Sequence, residues 1–157
     1  MKQIVIIASI LALYYGGRYF YFLPKYTQGD SIEDQSFILK DGTPSSIKKY
    51  EGTYLLVDFW GSWCGPCRQE SPLIVDLYNE FHGKKYKDAL DFDVLSIGIE
   101  SDEKKWEKAI EIDGLKWPNH VYQGQRFDSP LAKYYKVREI PSKFLLDSKG
   151  KIMLVNP

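Results

Sequence analysis

The chain has 157 residues, enough for one domain with a real core. Lysine plus arginine is 21 and aspartate plus glutamate is 21, so there is no charge excess of the kind that nucleic acid or an anionic surface recruits. Two cysteines are too few for a disulfide-stapled secreted scaffold, and a structural zinc site needs two further ligands that the distant His82 and His120 do not supply.

Residues Ile4 to Leu23, IVIIASILALYYGGRYFYFL, carry one charge, Arg18. The run matches the roughly 20 residues a helix needs to cross a hydrocarbon core. Tyr14, Tyr15, Tyr19, Phe20, Tyr21 and Phe22 gather toward one end, as an interfacial belt does, and Arg18 is placed to snorkel there. A cleaved signal peptide is the rival reading, with Lys2 as its basic start. Tyr14 and Tyr15 stand where a cleavage site wants small residues, so an uncleaved anchor is favoured. No polar face interrupts Ile4 to Tyr15, which argues against a buried core helix. The expected organisation is an anchor over 1–23, a polar linker over 24–35 and a folded domain over 36–157.

Ser36 to Lys40 followed by Asp41-Gly42 predicts a short strand and a hairpin turn. Ile47 to Gly52 reads as a brief helical turn closed by glycine. Tyr54 to Trp60, YLLVDFW, suits a central strand buried on both faces. A helix is expected from Cys64 to about His82, with Leu73, Ile74, Leu77, Tyr78 and Phe81 on one apolar face and Pro72 kinking it. Phe92 to Ile99 reads as a second buried strand. Glu103 to Ile112 reads as a helix with Trp106, Ala109 and Ile110 inward, and Pro130 to Tyr135 as a short helix. Phe144 to Leu146, Ser148-Lys149-Gly150 and Ile152 to Val155 form a closing hairpin. Strands alternating with helices before a terminal hairpin indicate an α/β fold with a mixed central sheet flanked by helices.

The chemistry lies in Trp63-Cys64-Gly65-Pro66-Cys67, after a buried strand and at a helix start. A cysteine pair in that setting is a redox motif. Unpaired N–H groups and the dipole at a helix N-terminus stabilise a thiolate at Cys64, the attacking species. The spacing brings both sulfurs to one face, within reach of a disulfide. Cys64 is therefore the expected nucleophile and Cys67, one turn in and more buried, the resolving thiol. Gly65 and Pro66 keep the turn compact.

Asp58 is the one charge inside YLLVDFW. Burying a carboxylate without a partner is costly, so it is expected to be raised in pKa or paired. Six residues before Cys64, it is placed to exchange a proton with Cys67; the alternative is a carboxylate satisfied by backbone or lysine. Glu70, three residues past Cys67, shares that helix face and is a second candidate acid, or else a solvated one.

Val57-Asp58-Phe59-Trp60 through Cys67-Arg68, with Pro72, resembles thioredoxin, and Ile140-Pro141 with Phe144-Leu145-Leu146-Asp147 looks like that family's cis-proline loop and closing hairpin. The resemblance implies a thioredoxin fold, a redox-active Cys64–Cys67 disulfide, a cis Ile140–Pro141 bond beside Cys64, and a substrate-binding rim of Trp63, Gly65, Pro66, Ile140 and Pro141. Phe37-Ile38-Leu39-Lys40-Asp41-Gly42 and Cys67-Arg68-Gln69-Glu70-Ser71-Pro72 are similar to membrane-tethered, extracytoplasmic relatives of the TlpA and ResA type. These have an extra N-terminal hairpin and a thiol-tuning glutamate at the Glu70 position. The resemblance implies a protein-disulfide reductase in the cell envelope, acting on proteins such as apocytochrome c. It places the chain in the inner membrane, single-pass, with the catalytic domain on the periplasmic side and an integral membrane thiol carrier as electron donor. No cofactor, metal or nucleic acid is called for.

Two departures stand out. Tethered relatives often lack an acid at the Asp58 position. The chain also stops at Pro157, whereas thioredoxin-like folds usually add a final helix over one sheet face. A missing C-terminal helix is expected to expose apolar surface, covered by a partner, by another segment, or exposed through truncation. Among rival functions, a peroxidase needs a threonine where Gly61 stands, and a copper chaperone needs wider cysteine spacing and a histidine. A disulfide oxidase or isomerase and a non-enzymatic binding module are the others; Gly65-Pro66 favours the reducing direction.

Overall fold

The computed structural model describes residues 2–22 and 26–157. Helix α1 (Lys2–Phe22) is one apolar helix, and its stretch Lys2–Tyr21 has mean hydropathy 1.4 with no part buried. At about 1.5 Å per residue it is long and apolar enough to cross a bilayer. Leu23, Pro24 and Lys25 lie outside the described residues, so the end of the expected anchor and the start of the expected linker are not placed.

The rest of the stretch read as a linker is docked on the domain, which corrects that reading. Tyr26 is buried, its ring 5.9 Å from Tyr134 and 6.0 Å from Tyr135. Gly29 N–H donates to Ile152 O at 2.8 Å, and Ile152 N–H donates to Asp30 O at 2.9 Å. Ser31 bridges Lys151 in antiparallel fashion. Polar composition concealed this docking because the contacts are made by backbone groups and one aromatic anchor.

The N-terminal hairpin pairs β1 (Ser36–Ile38) with β2 (Pro44–Ser46), antiparallel. Its turn needs Gly42 at φ 86°, and Asp41 Oδ1 accepts the Thr43 N–H at 2.9 Å. A 3-10 turn (Ile47–Tyr50) leads into β3 (Thr53–Trp60). Then come α2 (Gly65–Phe81), β4 (Asp91–Ile99), α3 (Glu103–Ile112), β5 (His120–Gln123), α4 (Pro130–Tyr135), β6 (Ser142–Leu146) and β7 (Ile152–Val155). The main sheet has the order β5-β4-β3-β6-β7. β3 is central, parallel to β4 and antiparallel to β6, so the sheet is mixed as expected.

Alternation along β3 divides the core. Leu55, Val57 and Phe59 join the cluster under α4, with Tyr135 and Phe144. Leu56 and Trp60 point the other way, into the cluster under α2 and α3 with Cys64, Cys67, Ile74 and Trp106. Asp58 falls between them on this second face.

β5 was not anticipated: it has four residues, two of them His120 and Gln123, and it is a strand because it pairs in parallel with Ser96–Ile99. The apolar stripe of α2 is only partly inward. Ile74 is buried, but Leu73 is 64% exposed and Leu77 41%. These two line an open apolar groove of about 660 Å³ with Tyr54, Leu145 and Met153.

Candidate active site

The backbone turns sharply where β3 ends. Cys64 N–H donates to Gly61 O at 3.0 Å, and Cys64 takes an extended conformation as N-cap of α2. Its Sγ accepts the Cys67 N–H at 3.2 Å, satisfying one of the orphan donors of the first turn. Gly65 and Pro66 open the helix, where proline has no bond to lose. Pro72 lies inside α2 and cannot donate to the Arg68 carbonyl. The two cysteines are joined in a disulfide, with Cα atoms 5.3 Å apart. The sequence makes Cys67 the more buried of the two, whereas they are nearly equal at 3% and 4% exposure, because the disulfide holds Cys64 against the first turn of α2.

Four contacts hold the loop before Cys64. Trp63 Nε1 donates to Ile99 O at 2.8 Å, and the Ser62 N–H donates to the Glu100 carboxylate. The Trp63 ring stacks under the Arg126 guanidinium at 4.8 Å and meets Phe127 edge-on at 6.3 Å. Gly61 permits this packing: a Cβ there would lie 2.8 Å from Trp63 Nε1 and 3.2 Å from Ile140 Cδ1. Trp63 still leaves 45% of its surface exposed beside the disulfide.

Ile140–Pro141 is cis, and the Ile140 carbonyl oxygen lies 3.8 Å from Cys64 Sγ. Both residues are half-buried and precede β6, whose pairing with β3 begins at Ser142 opposite Phe59. The fold therefore brings Trp63, Gly65, Pro66, Ile140 and Pro141 around one buried disulfide.

The helix that carries Cys67 also carries one member of an ion triad. Asp58 is 4% exposed and sits opposite Lys143 in the β3–β6 register. Lys143 Nζ lies 3.5 Å from Asp58 Oδ1 and donates at 2.5 Å to Glu70 Oε2. Asp58 is thus both raised and paired. Burial pushes its carboxyl up, Lys143 opposes that, Glu70 adds to it, and the result is about 6. Glu70, one turn past Cys67, is half-buried and is the outer member of the triad. Lys143 and Glu100 were not singled out from the sequence. Lys143 carried a signal: it shares a strand face with Leu145, so a charge there must meet a partner. Glu100 follows directly on the apolar run that ends at Ile99.

A family model described as thioredoxin-like matches residues 52–152. The thiol-disulfide oxidoreductase ResA of Bacillus thuringiensis subsp. konkukian is 30% identical over 124 residues, covering 77% of this chain and 65% of that protein. The thioredoxin-like protein YneN of Bacillus subtilis is 30% identical over 125 residues, covering 80% and 68%. The chain therefore spans just under two thirds of the ResA relative's length. Among solved structures, the thioredoxin domain of a thiol-disulfide oxidoreductase from Bacteroides vulgatus superposes with a TM-score of 0.72 at 28% identity, covering 85% of this chain and 90% of that one. A match over most of the folded domain, with the cysteine pair at the head of α2, shows that the chain belongs to the thioredoxin-like family.

Proposed function

We propose that this chain is a thiol–disulfide oxidoreductase that reduces protein disulfides in the cell envelope, tethered by α1. The observation that carries the reading is the buried Cys64–Cys67 disulfide at the N-terminus of α2, with the Ile140 carbonyl 3.8 Å from Cys64 Sγ. Relatives named as thiol-disulfide oxidoreductases support the chemistry. α1, apolar and unburied, supports the tether.

In the reduced protein, the Cys64 thiolate is stabilised by the helix N-terminus and by the Cys67 N–H. It attacks one sulfur of a substrate disulfide, and the other substrate sulfur leaves as a thiolate. Trp63, Gly65, Pro66 and Pro141 form the rim against which the substrate segment lies. The backbone of Ile140, outside the sheet pairing, bonds that segment as an added strand. Cys67 then passes its proton to Asp58 and attacks the Cys64 sulfur. The second substrate sulfur leaves as a thiolate, and Cys64–Cys67 closes. Two electrons have moved to the substrate. A separate membrane dithiol donor restores the reduced pair, because no other cysteine is present.

The test is a trap. Cys67→Ser expressed in the full chain is expected to retain mixed disulfides on Cys64, identified by mass spectrometry of membranes. Wild-type protein is expected to reduce insulin, and Cys64→Ser is not. Recovery of no disulfide-linked protein on Cys64, with no insulin reduction by wild type, would overturn the reading.

A further inference from the structure

Lys143 is a buried cation in a strand that otherwise faces apolar neighbours. It is 8% exposed, and its side chain lies on the α2 side of the sheet. Its ammonium reaches two carboxylates from two different elements, Asp58 on β3 at 3.5 Å and Glu70 on α2 at 2.5 Å. Burying a lysine without a partner is strongly unfavourable, so its position is set by these two acids, and theirs by it. Glu70 lies three residues from Cys67 on α2, so the triad is anchored to the helix one turn from the second thiol.

We propose that Lys143 is a positioning residue for the resolving step: it holds Asp58 ionised and fixed beneath Cys67, ready to take the thiol proton, and anchors Glu70 as the outer member of the same triad. The proposal rests on the reading of Asp58 as the proton acceptor for Cys67. The groups around Asp58 support the assignment. β6 presents Lys143, α2 presents Glu70, and β4 presents Ser96, the uncharged register partner of Asp58. Lys143 is the cation among them. Ser96 is already engaged as acceptor for Trp117 Nε1 at 2.9 Å.

The two partners of Asp58 act with opposite sign. Lys143 favours the carboxylate and Glu70 disfavours it. Substitutions at the two positions must therefore move the resolving step in opposite directions along the pH axis. A residue that only filled space under α2 would not produce this signature.

The experiment uses the reduced full-length chain in non-ionic detergent micelles, oxidised in a single turnover by hydroxyethyl disulfide between pH 4 and 9. Acid quenching and mass spectrometry separate the reduced, mixed-disulfide and oxidised forms, so attack and resolution are timed independently. Lys143→Met is expected to move the midpoint of the resolution profile upward by about one pH unit or more. Below that midpoint, resolution slows about tenfold, and attack is slowed less. Lys143→Arg is expected to restore resolution to within about threefold, since it keeps the charge. Glu70→Gln is expected to move the midpoint downward. It leaves the buried Asp58–Lys143 pair intact, so it carries the test if Lys143→Met does not fold. In an Asp58→Asn background, Lys143→Met is expected to add nothing to resolution. If Asp58→Asn alters the profile while Lys143→Met and Glu70→Gln both overlay wild type, the proposal for Lys143 is wrong and Asp58 stands. If Asp58→Asn itself overlays wild type, the reading of Asp58 falls and takes this proposal with it.

Discussion

Replacing Asp58 by asparagine should stabilise the oxidised protein at neutral pH and make its stability depend on pH. In the folded chain the Asp58 carboxyl is pushed up from 3.8 to about 6, chiefly by burial. A group raised on folding binds its proton more tightly in the native state. Its contribution is fully present below 3.8 and lost as pH rises through about 6. A difference of about 2 units, at about 1.4 kcal/mol each, makes the ionised carboxylate cost about 3 kcal/mol at pH 7. His120 works in the opposite sense. Burial holds its imidazole down from 6.5 to about 4, so its contribution is present above 6.5 and lost as pH falls through about 4. That too amounts to about 3 kcal/mol. The two windows overlap with opposite slopes, so these two groups nearly cancel between pH 4 and 6.5. Asp58→Asn removes one of the two. The variant should gain up to about 3 kcal/mol at pH 7 and lose that gain on acidification, meeting wild type near pH 4. Removing one member of a buried ion pair usually destabilises, because the other is left alone. Here Lys143 keeps Glu70 at 2.5 Å. The assay is urea unfolding of the oxidised full chain in non-ionic detergent, followed by tryptophan fluorescence at pH 4, 5.5 and 7; the disulfide keeps the thiols from titrating. A variant less stable than wild type by more than about 1 kcal/mol at pH 7 would refute the reasoning, because the carboxylate would then be a net contributor through Lys143.

Gly98 lies on β4 under Trp106, and a Cβ there would sit 2.3 Å from Trp106 Nε1. Since Trp106 is fully buried, Gly98→Ala should cost about 1–3 kcal/mol in the same unfolding assay, and a neutral result would mean the indole has room to move. Trp63 presents an exposed face beside the disulfide, so Trp63→Ala should raise KM for a protein disulfide about tenfold. It should act less on hydroxyethyl disulfide, which is too small to span the rim; equal effects on both would assign Trp63 to the loop alone.

Much of the fold was legible because its signals are local. The run at β3, the apolar length of α1 and the proline-glycine start of α2 each sit within one stretch of chain. Each states its own environment: an unbroken apolar strand must be central, and cysteines three apart at a helix start must share a face. Asp58 was legible for the same reason, as the one charge in a strand with no exposed side. Its partner was not. Lys143 and Glu70 meet across 73 residues, and nothing in either neighbourhood names the other.

Similar reasoning separates the remaining cases. β5 became a strand only by pairing with β4, and residues 26–34 became part of the domain by bonding to the start of β7 and by packing Tyr26 on α4. Leu73 and Leu77 read as core by helical spacing, yet spacing cannot say whether anything packs on a face, and the groove beside them is open. The nearness of Ile140 to Cys64 spans 76 residues and followed from family resemblance, not from spacing. The sequence by itself determined the redox pair, the apolar N-terminal helix and the central strand, because covalent spacing and local hydropathy are enough for those. The tertiary structure decided which charges meet across the sheet and α2, because desolvation makes a buried carboxylate need a partner, and only the β3–β6 register brings Lys143 to Asp58 and only the packing of α2 brings Glu70 to Lys143.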